Sequence, residues 1–287
     1  MTLVSPRRRA ALSLAMLALV AACASPAATP PAATPSPANR MNDARVGLSA
    51  GLFNAGEAIS NLRVVGRARS PEGFLGITNS DLAFTGNYVV QGNYNGPVIW
   101  DISDPANPKL VKALVCPASQ NDVSVYRNLM FVSSEAFNGR TDCGSGGVRD
   151  SVSADRFRGV RVFDISNIAD PKLVANVQTC RGSHTHTVLE SPVDRENIYI
   201  YVSGSAPVRS PNEMSGCVRD QPSANANSSL MRIEVIKVPL ANPAASAIVN
   251  RADIFTGLTQ PPEHGETAAD LAAAAQRADS VRRAGGF

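Results

Sequence analysis

A segment that returns almost unchanged constrains this chain more than any other feature. Val98-Ile99-Trp100-Asp101-Ile102-Ser103-Asp104-Pro105-Ala106-Asn107-Pro108-Lys109-Leu110-Val111 recurs as Arg161-Val162-Phe163-Asp164-Ile165-Ser166-Asn167-Ile168-Ala169-Asp170-Pro171-Lys172-Leu173-Val174. A more divergent third copy runs through 233–243, aligned with Val238 in the place of the aspartate. In each copy a β-branched strand stops at a cluster of Pro with Asn or Asp and then restarts, which is the pattern of a hairpin with a polar turn. Two further strands precede each copy: 81–84 and 88–92, then 122–126 and 129–134, then 186–190 and 198–203. The chain therefore reads as all-β, a β-propeller-like array of about three four-stranded blades. A β-sandwich with chance internal similarity is the alternative, and near-identity of the first two copies argues against it. Insertions at 138–159 and 206–229 fall in corresponding loops, between the second and third strands of their blades.

Composition agrees. Among 287 residues, 21 Gly and 20 Pro punctuate the chain too often for long helices, and 44 % hydrophobic against 18 % charged residues excludes a wholly disordered chain. Three blades fall short of the four to eight or so of a closed ring, so an incomplete ring and a truncated chain are expected.

The units Asp101-Ile102-Ser103-Asp104-Pro105-Ala106-Asn107-Pro108-Lys109-Leu110-Val111 and Asp164-Ile165-Ser166-Asn167-Ile168-Ala169-Asp170-Pro171-Lys172-Leu173-Val174 resemble the LVIVD repeat of bacterial surface and periplasmic propellers. The resemblance covers residues 75–255. It implies a propeller and an exported context, and no settled reaction.

The N-terminus carries an address. Arg7, Arg8 and Arg9 precede an apolar run, 10–22, interrupted by Ser13, which has the form of an export signal and is too short to span a bilayer. Val20-Ala21-Ala22-Cys23 resembles a lipobox, so cleavage after residue 22 and lipidation of Cys23 are expected; an ordinary secretory signal is the rival. Residues 23–45 read as a disordered Pro/Ala-rich tether. Residues 46–74 read as an N-terminal extension with a strand expected at 59–68, and 256–287 as a weakly helical or disordered tail. The formal charge of +3 falls to zero once the three arginines are removed, leaving no electrostatic footprint for nucleic acid. By analogy with lipoproteins generally, the expected location is the outer membrane, on its periplasmic or surface face.

Four cysteines follow Cys23, an even number that in an exported chain points to disulfides. Three pairings are open in principle, and the repeat narrows them. Cys116 and Cys180 each follow a fourth strand, while Cys143 and Cys217 each lie in the insertion of the next blade, and antiparallel alternation puts both kinds of loop on one face. Cys116 with Cys143 and Cys180 with Cys217 is the expected set. A zinc or catalytic role is the rival, without C-x-x-C spacing to support it.

Ser183-His184-Thr185-His186-Thr187 is the sharpest polar cluster. Alternate strand residues share a face, so His184 and His186 are expected to point the same way. Inner-strand alignment places His186 where the other blades have Asp81 and Asp122. Asp81, Asp122, His184 and His186 are thus the candidate ligands of a divalent cation, with hydrogen bonding between blades as the plainer role. Asp101 and Asp164 are expected to satisfy turn amides beside Ser103 and Ser166, and His264 to be a loop residue or a further ligand. No G-x-S-x-G, phosphate loop or H-E-x-x-H appears. The leading expectation is a lipid-anchored binding or scaffolding module with a protein or small-molecule ligand. A metal-dependent enzyme at the channel mouth is the alternative.

Overall fold

The computed structural model describes residues 43–254 and 265–283, so the export segment, Cys23, most of the tether and His264 lie outside the described residues. The chain divides into two units, Met1–Arg63 and Val64–Phe287. Residues 43–63 of the first are turns and irregular chain, with an exposed Asp43–Arg45 ion pair at 2.5 Å.

The second unit contains three four-stranded sheets, each an antiparallel meander in chain order. The first is β1 (Asn79–Thr85), β2 (Tyr88–Asn93), β3 (Val98–Asp101) and β4 (Lys109–Ala113). The second is β5 (Val123–Tyr126), β6 (Leu129–Ser134), β7 (Gly159–Asp164) and β8 (Lys172–Gln178). The third is β9 (Thr185–Glu190), β10 (Asn197–Ser203), β11 (Arg232–Pro239) and β12 (Ala247–Asp253), and a helix, α1 (Ala268–Arg283), follows. The insertions lie between β6 and β7 and between β10 and β11, as the repeat requires.

The strand expected at 59–68 does not form; the first strand begins at Asn79. Gly66 instead lies against the turn between β3 and β4, where an added Cβ would meet the Pro105 carbonyl oxygen at 2.2 Å.

The aspartates of the repeat hold their turns. Asp101 Oδ1 accepts the Ser103 N–H at 2.8 Å and Asp164 Oδ1 accepts that of Ser166 at 2.8 Å. A second side-chain turn follows in each copy, with Asp104 accepting from the Ala106 N–H and Asn167 from that of Ala169. Both carboxyls lie below the usual carboxylate range because of these serine contacts.

The third copy needs a correction of one residue. Asp101 pairs with Tyr88 and Asp164 with Leu129, and the register break on the way to the fourth strand falls at Ile99/Trp100 and Val162/Phe163. In the third sheet that break falls at Val235/Ile236, which places Lys237, opposite Tyr199, at the aspartate position. Val238 therefore corresponds to Ile165. A one-residue offset moves side chains to the other face of a sheet. Burial agrees, since Ile236 and Val238 join the core shared with the second sheet, as Phe163 and Ile165 join the core shared with the first.

Packing makes the three sheets an array. Val90 and Ile99 of the first sheet meet Val123, Met130, Val132 and Phe163 of the second. The opposite face of the second sheet, with Leu129, Phe131, Val160 and Val162, meets Ile200, Val202, Ile236 and Val238 of the third. Every residue of β6 is buried, which is why Leu129-Met130-Phe131-Val132 lacks the polar alternation of a half-buried strand. The first strands of the three sheets, β1, β5 and β9, lie next to one another in that order, which is a blade-like succession.

Candidate functional site

Two polar clusters form where the first strands meet. In one, the inner-strand aspartates reach forward to the next sheet. Asp81 Oδ2 accepts the Val123 N–H at 3.4 Å, and Asp122 Oδ2 accepts the His186 N–H at 3.0 Å. The repetition of this contact shows that His186 corresponds to Val123, one residue beyond the expected alignment, and that Thr185 stands at the position of Asp81 and Asp122. Strand pairing says the same: Val123 lies opposite Val132, and His186 opposite Val202.

His186 is nevertheless brought to Asp122. Its Nδ1 lies 2.9 Å from Asp122 Oδ2 and 2.8 Å from Ser133 Oγ, which itself lies 2.7 Å from Ser183 Oγ. The imidazole is fully buried, edge-on to Phe131 at 6.5 Å, and its Nε2 has no hydrogen-bond partner among the described residues. Burial pushes the Asp122 carboxyl up, and the hydrogen bonds and charge of His186 pull it further down, leaving it below the usual carboxylate range.

His184 belongs to the second cluster. It precedes β9, is 41 % exposed at its side chain, and places Nδ1 2.6 Å from Glu135 Oε1. Gln120 Nε2 lies 3.1 Å from His184 Nε2, and Ser205 donates to Glu135 Oε2 at 2.8 Å. The imidazole thus turns Nδ1 to the carboxylate and Nε2 to the Gln120 side chain. The contact depends on Gly182, at φ +71°, whose Cβ would lie 2.6 Å from Glu135 Cα. The two histidines therefore have separate partners. Among the described residues, no group of three or more His, Cys, Asp or Glu side chains is arranged to hold a metal ion.

Glu135, Gln120 and Ser205 were not among the candidate residues. The signal for Glu135 and Ser205 lies at the ends of the second strands, where Val132-Ser133-Ser134-Glu135 matches Val202-Ser203-Gly204-Ser205 and puts the two at equivalent positions.

The disulfides join Cys116 to Cys143 and Cys180 to Cys217, with Cα separations of 4.3 and 5.3 Å. They staple both insertions to the loops that precede their blades. The insertions are also joined to each other. Arg156 of the first meets Glu213 of the second at 2.7 Å, Arg209 meets the same carboxylate at 2.6 Å, and Arg158 donates to the Pro207 carbonyl at 2.8 Å.

Comparison with known proteins matches the LVIVD repeat family at residues 78–114 and 154–179. The chain carries LVIVD repeats. The matched stretches contain the first and second copies of the repeat, and the divergent third lies outside them. Curated proteins give no match. Among solved structures, the computationally designed Ika4 protein aligns at 12 % identity over 66 % of this chain and 80 % of its own, with a TM-score of 0.32. The architecture is defined by the strand order and by the packing of the sheets against one another.

Proposed function

We propose that this LVIVD-repeat chain is an exported, lipid-anchored binding module of the cell envelope, tethered through Cys23 and engaging a protein or small-molecule ligand with the face that carries the two insertions. The observation that supports it is the pair of disulfide-stapled insertions, fastened to each other through Arg156, Arg209 and Glu213. Disulfides persist in oxidising compartments, which suits a location outside the cytoplasm. Long loops held on a rigid scaffold are where binding surfaces are commonly built, and pre-ordering them lowers the entropy cost of association.

Cross-linking in intact cells tests the reading. A photo-reactive residue at exposed Phe137 or Val152, beside or within the first insertion, should capture a specific partner, whereas one at exposed Val249 on β12 should not. Equal capture from all three would remove the insertion face as the binding surface. In the same cells, Cys23→Ser should abolish labelling by fatty acid and release the protein from the membrane fraction. A metal-dependent enzyme is the second reading; His184 is drawn to Glu135 and away from Asp81, Asp122 and His186, so the support for it is the unpartnered His186 Nε2 alone. Stoichiometric metal in protein purified without added metal, lost in His186→Ala, would favour it.

A further inference from the structure

Between the two insertions, three guanidiniums are buried against one carboxylate. Arg156, Arg158 and Arg209 are 5 %, 1 % and 5 % exposed. Glu213 divides its oxygens between Arg156 and Arg209, so both are used. Arg158 has no carboxylate of its own. It donates through Nη2 to the Pro207 carbonyl and covers the Phe137 ring at 4.6 Å, while its Nε–H has no partner among the described residues. The Nε–H of Arg209 is likewise unpartnered. Gln178 Oε1 accepts from the backbone N–H of Arg158 and from Arg209 Nη1, and the Arg158 guanidinium, held at the Pro207 carbonyl two residues before Arg209, lies close enough for the two charges to repel. Glu135, the other carboxylate that acts on Arg158, is committed to His184 and Ser205.

We propose that a small inorganic anion of the size of chloride binds here, against Arg158 and Arg209. Burial of an unpaired charge is among the costliest arrangements in a protein, and a buried donor without an acceptor marks a missing water or ion. Water can accept from an Nε–H but cannot balance the charge. Burial, with the repulsion of Arg209, pushes Arg158 down to about 10, so it stays charged at neutral pH and needs an anion. The enclosure sets the ligand class. With the guanidiniums at most 5 % exposed, a carboxylate or phosphate ester would have no route out for the rest of its molecule. The anion would complete the fastening of the two insertions, coupling the order of that face to the surrounding halide.

Thermal unfolding of the mature exported protein in sodium chloride, sodium bromide and sodium gluconate at matched ionic strength tests the site. Chloride and bromide should raise Tm above the gluconate value, by about 5–10 °C at a hundred times Kd. Arg158→Met keeps the length of the side chain and should abolish the increment. Equal Tm in the three salts, or an increment retained by Arg158→Met, overturns the proposal. Should Arg158→Met fail to fold, bromide-soaked crystals of the unmodified protein decide the matter. An anomalous peak within contact of the Arg158 and Arg209 Nε atoms is expected, and its absence refutes the site.

Discussion

Removing the Asp122 carboxylate should destabilise the array far more than removing that of Asp81, although both occupy the same position in successive blades. Asp122 accepts the His186 N–H at 3.0 Å and lies 2.9 Å from the buried imidazole, so Asp122→Ala strands one backbone donor and strips a charged partner from the ring. Each buried donor left unpaired costs about 1–3 kcal/mol, and Ser133 remains on Nδ1 to soften the second loss. The expected total is about 2–4 kcal/mol. Asp81→Ala strands the Val123 N–H, across a long contact of 3.4 Å, and removes a side-chain contact to the Asp122 carboxyl but no partner of the buried imidazole, and should cost about 1 kcal/mol or less. Urea unfolding followed by tryptophan fluorescence reads both, since Trp100 is the single tryptophan. Asp122→Asn keeps an acceptor and should recover part of the loss, separating hydrogen bond from charge. A double-mutant cycle with His186→Leu should return a coupling of about 1–3 kcal/mol. Equal costs for the two alanine variants, or a neutral Asp122→Ala, would refute the argument that these aspartates act as forward contacts between blades.

Acid unfolding should share this cause. Asp122 lies below its unfolded value, so its stabilisation is present above the ordinary carboxylate range and lost as pH falls through the folded-state value; Asp122→Asn should flatten that limb of a urea-midpoint profile. Replacing Cys116 and Cys143 by Ser opens a link of sequence separation 27, and replacing Cys180 and Cys217 one of 37; chain entropy puts the losses at about 3.5 and 4 kcal/mol, measurable as falls in the urea midpoint. Phe131→Ala, at a fully buried position between the second and third sheets, should cost about 3–5 kcal/mol, whereas alanine at exposed Leu173 should change stability by about 0.5 kcal/mol or less in the same assay.

Much of the architecture was visible in the residues because the forces that make it are local or repeated. The Asp101 and Asp164 turns close within two residues of the aspartate, so a sequence match is a structural match. The disulfide pairing followed from antiparallel alternation and loop position, and the strands lie within about two residues of their expected bounds. Sequence also supplied the candidates Asp81, Asp122, His184 and His186, of which the structure joins Asp122 to His186 and takes His184 to Glu135 instead.

What failed was register. Val238 and His186 were each aligned one residue out, because a worn repeat offers too few identities to fix an offset while side chains in a strand alternate with period two. The buried arginines escaped for a different reason. Arg156, Arg158 and Arg209 come from two insertions more than 40 residues apart, and no local pattern announces that Arg156 and Arg209 will share Glu213 with Arg158 buried beside them. The sequence by itself determined the repeat, its strands, its turns and the cysteine pairs, since each depends on neighbours in the chain or on topology. Only the tertiary structure decided which faces meet and which charges converge, because those depend on strand register and on the approach of loops whose residues carry no mark of it.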